Sequence, residues 1–181
     1  TAHHADDVVE TIAINLHRGT GWRGLATHDS HVELPLLEMT KKQLYTYAEK
    51  RGLTWREDST NQSDDYLRNR FRKQLNVLHD ESREAFLALR KQQLANKEEI
   101  LKKIKALIGS GPSYERYFFT HIPAVVAIEC LRHITKGEMT RPQLERFLLA
   151  IKTAKPGKTI ELGNGLRSHF TTRNFHLSLI K

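Results

Sequence analysis

Thr1-Ala2-His3-His4-Ala5-Asp6-Asp7-Val8-Val9-Glu10-Thr11 places two imidazoles and three carboxylates close together at the start of a helical pattern. Val9, Ile12, Ala13 and Leu16 recur at i, i+3, i+4 and i+7, which predicts an apolar helix face beginning near Asp6. Asp6, Asp7 and Glu10 fall in the first turn, where acids suit the helix macrodipole. Thr1 and Ala2 are too short a stretch to assign; the end of a strand is one reading, which would place the cluster at a strand-to-helix junction. In an open α/β fold, ligands bind at the carboxyl edge of the strands. Carboxylates there can hold Mg²⁺ beside a nucleotide, because that ion prefers oxygen ligands. An N-capping cluster with solvent-facing histidines is the competing account. Zinc is disfavoured, since no third soft ligand follows at metal spacing.

Moving outward, the helix is expected to stop near Arg18-Gly19. Gly19-Thr20-Gly21-Trp22-Arg23-Gly24 fits G-x-G-x-x-G letter for letter. A dinucleotide fingerprint must follow a strand and open a helix, whereas this run follows a helix, so it reads as a loop after a C-cap. Val32 to Leu37 reads as a short strand ending at Pro35, or as a loop. Thr40 is the expected N-cap of a helix through Lys50, with Gly52 as its stop.

Trp55 to Ser63 is polar and turn-rich. Asp64 begins a helix with Leu67, Phe71, Leu75 and Leu78 along one side. Arg68 and Arg72, four apart, share a face there, with Asn69 beside it. A guanidinium pair near an aromatic suits phosphate or RNA contacts; a solvated helix pairing with Asp64 and Asp65 is the alternative. Glu81 to Ile108 predicts a long helix with a stripe of Phe86, Leu89, Leu94, Leu101, Ile104 and Ile108. Its Lys-rich remainder suits a helix that links two domains.

Gly109-Ser110-Gly111-Pro112 is a break. Helices are expected over Ile122–Ile134 and Arg141–Ile151, the second capped by Thr140 with Pro142 near its start. After Pro156-Gly157 the period changes to two. Thr159–Leu162 and Phe175–Ile180 read as short strands, with Gly163-Asn164-Gly165 as the turn between them.

Of the 181 residues, 39% are hydrophobic, enough for a real core, and 28% are charged, which argues against global disorder. Lys and Arg outnumber Asp and Glu by 29 to 21, and the net charge of +8 favours a polyanionic partner such as nucleic acid. The single cysteine, Cys130, excludes an internal disulfide framework and fits a reducing compartment. Its apolar neighbours make it a buried, inert thiol. No apolar run reaches the roughly 20 residues needed to span a bilayer, and no basic-then-apolar leader stands at the start. A cytoplasmic location is expected.

Taken in order, the His3-His4-Ala5-Asp6-Asp7 segment with Glu10-Thr11, Leu16-His17-Arg18-Gly19-Thr20-Gly21, Pro35-Leu36-Leu37, Glu57-Asp58-Ser59-Thr60-Asn61 and Arg68-Asn69 with Arg72 resemble the tRNA(Ile)-lysidine synthetase family. The specific motifs cover residues 1 to about 78. The resemblance implies a mixed α/β, mostly helical chain. Its parts would be the C-terminal part (1–78) of a PP-loop ATPase domain of the Rossmann-type, adenine nucleotide α-hydrolase-like kind, a linker helix (79–110), and a helical tRNA-binding domain ending in a β-hairpin (111–181).

It also implies a ligase that uses ATP and Mg²⁺ to adenylate the wobble cytidine of an isoleucine tRNA with a CAU anticodon. The amine of free L-lysine then attacks the activated ring carbon and AMP leaves, forming lysidine. By resemblance, His3, Asp7 and Glu10 would be catalytic, with His3 or Asp7 as general base. Asp6 and Arg18 would meet the nucleotide, Asp7 the metal, and Arg68, Asn69 and Arg72 the tRNA. A homodimer is a further implication.

Two departures stand out. The family's Ser-Gly-Gly-x-Asp-Ser signature, whose backbone N–H groups would hold pyrophosphate, does not occur in these residues, and the chain is expected to begin inside a fold and to be inactive alone. Leu34 precedes Pro35 where the family usually has Arg. The alternatives are a non-catalytic tRNA-binding fragment and a tRNA-thiolating PP-loop enzyme. The latter needs paired cysteines or a cluster site, and Cys130 stands alone.

Overall fold

A computed structural model describes residues 1–29, 33–56, 67–75, 77–109 and 111–180. Glu57 to Asn61, the aspartates 64 and 65, and Val32 lie outside the described residues, and so do the expectations that rest on them. The chain divides into two compact units, Thr1–Glu98 and Glu99–Lys181.

In the first unit the opening helix, α1, spans Ala5–His17. Its buried apolar residues are Ala5, Val8, Val9 and Ile12. That is the expected i, i+3, i+4, i+7 spacing moved one turn towards the N-terminus, and Leu16, expected on this face, is 48% exposed. Arg18 is the C-cap and Gly19 follows at φ +64°, a left-handed conformation that glycine adopts without steric cost. The Gly-rich run then forms a loop with a 3₁₀ turn at Trp22–Gly24, so it follows a helix and opens none.

The second helix, α2, spans Lys41–Lys50 as expected. The Thr40 Oγ1 accepts the Gln43 N–H, and the Gln43 side chain accepts the Thr40 N–H in return, closing a capping box. Helix α3 spans Leu67–Leu75, so Leu78 lies beyond it. Helix α4 spans Asp80–Ile108. Thr1 and Ala2 are not in a strand, and of the two readings of the next stretch the loop is the one found, since Leu34 to Leu37 close into a turn in which the Leu37 N–H meets the Leu34 carbonyl at 3.1 Å. Among its described residues this unit contains helices and turns but no strand.

The second unit, which includes the last turns of α4, differs most from expectation. Strand β1 (Ser113–Glu115) and helix α5 (Arg116–His121) precede the expected helices, now α6 (Ala124–Ile134) and α7 (Arg141–Thr153). Helix α6 starts at Ala124 because Pro123 is its N-cap, and the residue before a proline is pushed to extended backbone, as Ile122 is at ψ 157°. Thr140 and Gln143 close a second capping box on α7.

The expected terminal hairpin is a four-stranded antiparallel sheet. Strands β2 (Thr159–Gly163), β3 (Leu166–Phe170) and β4 (Asn174–Leu179) join β1 in the order β1-β4-β3-β2. The turn at Asn164 and Gly165, both at positive φ, connects β2 to β3 and not to Phe175–Ile180. Strand β3 was hidden because Leu166-Arg167-Ser168-His169-Phe170 buries Ser168 as well as Phe170. A buried serine masks the apolar alternation by which a strand is recognised.

The core of this unit centres on Phe175. Its ring lies 5.3 Å from Phe119, 5.4 Å from Phe147 and 5.5 Å from Tyr114. The Phe119 and Phe147 contacts are edge to face, an arrangement that adds about 0.5–1.5 kcal/mol each beyond the area buried. Arg116 braces the packing, its guanidinium donating to the carbonyls of Ile151, Thr171 and Ala154 at 2.8–2.9 Å.

Candidate functional site

Asp7 and Glu10 are three apart on α1, and Arg68 and Arg72 four apart on α3. Each pair therefore shares a helix face, and α1 packs on α3 with these faces opposed. The Arg68 Nη2 donates to Asp7 Oδ1 at 2.9 Å, and its Nε donates to Glu10 Oε2 at 2.8 Å. The Arg72 Nε donates to Glu10 Oε1 at 2.6 Å and its Nη2 to Oε2 at 3.1 Å, a two-point grip on one carboxylate. Glu10 is 4% exposed and Asp7 9%. Carboxylates so buried need a partner charge, and the two guanidinium groups supply it. The Glu10 hydrogen bond in turn holds the Arg72 guanidinium above its usual value. Asn69, also buried, lies between the arginines in sequence.

Ala2, His3, Asp7, Arg68, Asn69 and Arg72 line an open cleft of about 450 Å³. Although doubly paired, the Arg68 side chain keeps 45% of its surface exposed, so it can still meet an anion entering the cleft. Residues expected at the two ends of the first segment thus meet in one place: His3, Asp7 and Glu10 from one end, and Arg68, Asn69 and Arg72 from the other.

Two expected site residues lie elsewhere. Arg18 caps the far end of α1, a helix about 20 Å long at 1.5 Å per residue. Asp6 accepts the Lys41 backbone N–H at 2.7 Å and is paired with the Arg83 guanidinium. It lines a second, larger groove of about 1360 Å³ together with His4, Lys41 and Arg83, a groove that Glu10 and Arg72 border from the cluster's side.

The carboxylates do not present themselves to a metal ion. One oxygen of Asp7 is bonded to Arg68 and the other accepts the His4 N–H at 3.0 Å, while both oxygens of Glu10 meet arginine. Among the described residues, no group of three or more His, Cys, Asp or Glu could hold a metal. The site is thus a carboxylate–arginine cluster with the His3 imidazole beside it.

Sequence reading missed the cations of α4 that support this site. Arg83, Arg90 and Lys97 stand seven apart, a spacing that returns to the same side of a helix every two turns. Arg83 pairs with Asp6 and also donates to the Leu75 carbonyl at 2.8 Å. Arg90 donates to the Thr27 carbonyl at 2.9 Å and the His28 carbonyl at 3.3 Å, and Lys97 pairs with Asp29. The heptad of cations was the available signal. His28, which these contacts fix, carried none.

Residues 1–78 match the PP-loop domain family. The chain is 38% identical to a tRNA(Ile)-lysidine synthase of Exiguobacterium sibiricum, an alignment covering 90% of this chain and 42% of that protein. It is 32% identical to one of Enterococcus faecalis over 66% of this chain and 32% of the relative. With one of Bacillus subtilis it shares 42% identity over 40% of this chain and 17% of the relative. The class these residues define is that of a PP-loop domain, over the stretch that holds the cleft. The resemblance to the tRNA(Ile)-lysidine synthetase family read from the sequence is borne out. The chain spans less than half the length of these relatives.

Proposed function

We propose that this chain is part of a lysidine-forming ligase. Such an enzyme joins lysine to the wobble cytidine of a CAU-anticodon isoleucine tRNA through an adenylated intermediate. ATP supplies the activating group. The ring oxygen leaves with AMP as the lysine amine forms the new carbon–nitrogen bond, and the amine proton passes to a base. Residues 1–78 would belong to the ATPase domain, 79–110 to a linking helix, and 111–181 to a tRNA-binding domain.

The observation that carries this reading is the cleft in which His3 borders Asp7, Arg68 and Arg72, inside the segment that matches the PP-loop domain. Its arginines fit phosphate, either of the nucleotide or of the tRNA backbone, and a cation aimed at developing negative charge is a strong means of stabilising it. His3 is the candidate base, since Asp7 is committed to Arg68. Cys130, the one cysteine of these 181 residues, is no candidate for thiolating chemistry, since it is buried and burial pushes its thiol up to about 11.

ATP-dependent incorporation of labelled lysine into isoleucine tRNA, measured on the protein carrying these residues, tests the reading. Incorporation should fall at least tenfold in His3→Ala with little change in melting temperature. Unchanged incorporation in that variant removes His3 from the chemistry. The second reading, a tRNA-binding module without catalysis, draws on the net charge of +8. Under both readings tRNA affinity drops as salt rises. Replacing Arg68 and Arg72 by Ala should reduce the salt slope by about two if both meet phosphate. An unchanged slope would assign the pair to the fold or to the nucleotide.

A further inference from the structure

His28 stands in the left-handed region at φ +56°, a conformation uncommon outside glycine and worth an explanation wherever it appears. Its backbone is gripped by Arg90, whose guanidinium donates to the carbonyls of Thr27 and His28. Lys97 pairs with Asp29 on the other side. Two cations of α4 therefore fix a three-residue bend, and the product of that bend is the direction of the His28 ring. The ring meets His3 edge to face, with centroids 5.2 Å apart and planes at 62°. On its other edge, the His28 Nδ1 is 3.2 Å from the Thr27 hydroxyl. His3 in turn lines the cleft beside Asp7 and Arg68.

We propose that His28 is a positioning residue for His3, holding that ring at the cleft while Arg90 holds His28. The proposal rests on His3 bordering the reacting site. His28 is not part of the buried core, so its backbone is held by the Arg90 contacts and not by apolar packing around its ring. The charged and titratable neighbours of His28 are His3, Arg90 and Arg68, which resist its protonation, and Asp7, which favours it. Burial is the largest influence, and its imidazole is held below the usual histidine value. A neutral ring next to His3 adds no fixed charge to the cleft and leaves the carboxylate–guanidinium cluster balanced.

Imidazole resonances of the 181-residue chain test this directly. In the wild type, cross-relaxation between the His3 and His28 rings is expected. In His28→Ala the His3 ring signals should move to the values of an unconstrained histidine. In His28→Phe, which keeps a flat ring at that place, they should stay displaced. His3→Gln should raise the titration midpoint of His28, since one of the groups resisting its protonation is gone. A His28→Ala chain that melts as the wild type does but leaves the His3 signals unmoved would overturn the proposal. Absence of ring-to-ring cross-relaxation in the wild type, or an unmoved His28 midpoint in His3→Gln, would overturn it even if both His28 variants fail to fold. None of these readouts needs turnover. A longer protein carrying these residues that keeps the ring contact but incorporates no lysine would count against the proposed function and not against the contact.

Discussion

Residues 1–98 and 99–181 reach stability by different means. Among the described residues, the first unit buries Ala5, Val8, Val9, Ile12 and Ala26, with no buried aromatic ring. Its helices are joined by charge: Asp7 and Glu10 to Arg68 and Arg72, Asp6 to Arg83, and Asp29 to Lys97. The second unit buries Phe119, Phe147, Phe170 and Phe175 with Leu131, Leu144 and Ile151 around them. Apolar contacts are non-directional and tolerate small shifts. Ion pairs with buried members demand geometry, and a lost partner leaves an uncompensated charge. A unit built by the second means places its charges accurately but holds them with less reserve. The contrast teaches that the candidate site and the scaffold were given separate physics, and it can be broken at stated points.

The largest effect should come from Phe175→Ala. This ring is fully buried among four other aromatic rings, so its loss should cost the second unit about 3–5 kcal/mol, read from a denaturant melt followed by circular dichroism. A cost below about 1 kcal/mol would mean that the core is not organised around it. Glu10→Gln should destabilise the first unit less, by about 2 kcal/mol, because Arg68 and Arg72 are partly exposed and water recovers some of the loss. No change in the melt would show the four-residue cluster to be energetically idle, and would break the contrast. Thr140→Ala removes one cap of α7 and should cost about 1 kcal/mol.

The last effect is confined to alkaline pH. The folded state raises the Cys130 thiol from about 9 to about 11, so the native chain keeps a proton that the unfolded chain releases. The associated stability is complete below about pH 9 and is lost as the pH rises towards 11. Cys130→Ala should flatten this decline in melts of the second unit. An equal decline in both proteins would assign it to other groups.

Helices with caps were legible from sequence, and α2 and α7 are the clearest cases. Thr40 with Gln43 and Thr140 with Gln143 satisfy the first orphan N–H groups from within four residues, so no distant partner decides those ends. The order of motifs also gave the resemblance. Helix α5 escaped because six residues offer fewer than two turns of periodicity. Strand β1 escaped because three residues, Ser113–Glu115, acquire their character only from pairing with Asn174–His176 of β4.

The sequence by itself determined that Asp7 with Glu10 and Arg68 with Arg72 each share a helix face, because helical spacing is a local property. It did not determine that the two faces meet. From spacing alone, Arg68 and Arg72 pointed to phosphate or to Asp64 and Asp65, yet they grip carboxylates some sixty positions earlier. Only tertiary packing brought these groups together, because a charge finds its partner by distance in space. The same holds for His28. Its residue type and neighbours in sequence gave no sign of a role, and the groups that hold its left-handed backbone, the two hydrogen bonds from Arg90, come from a helix more than sixty positions away.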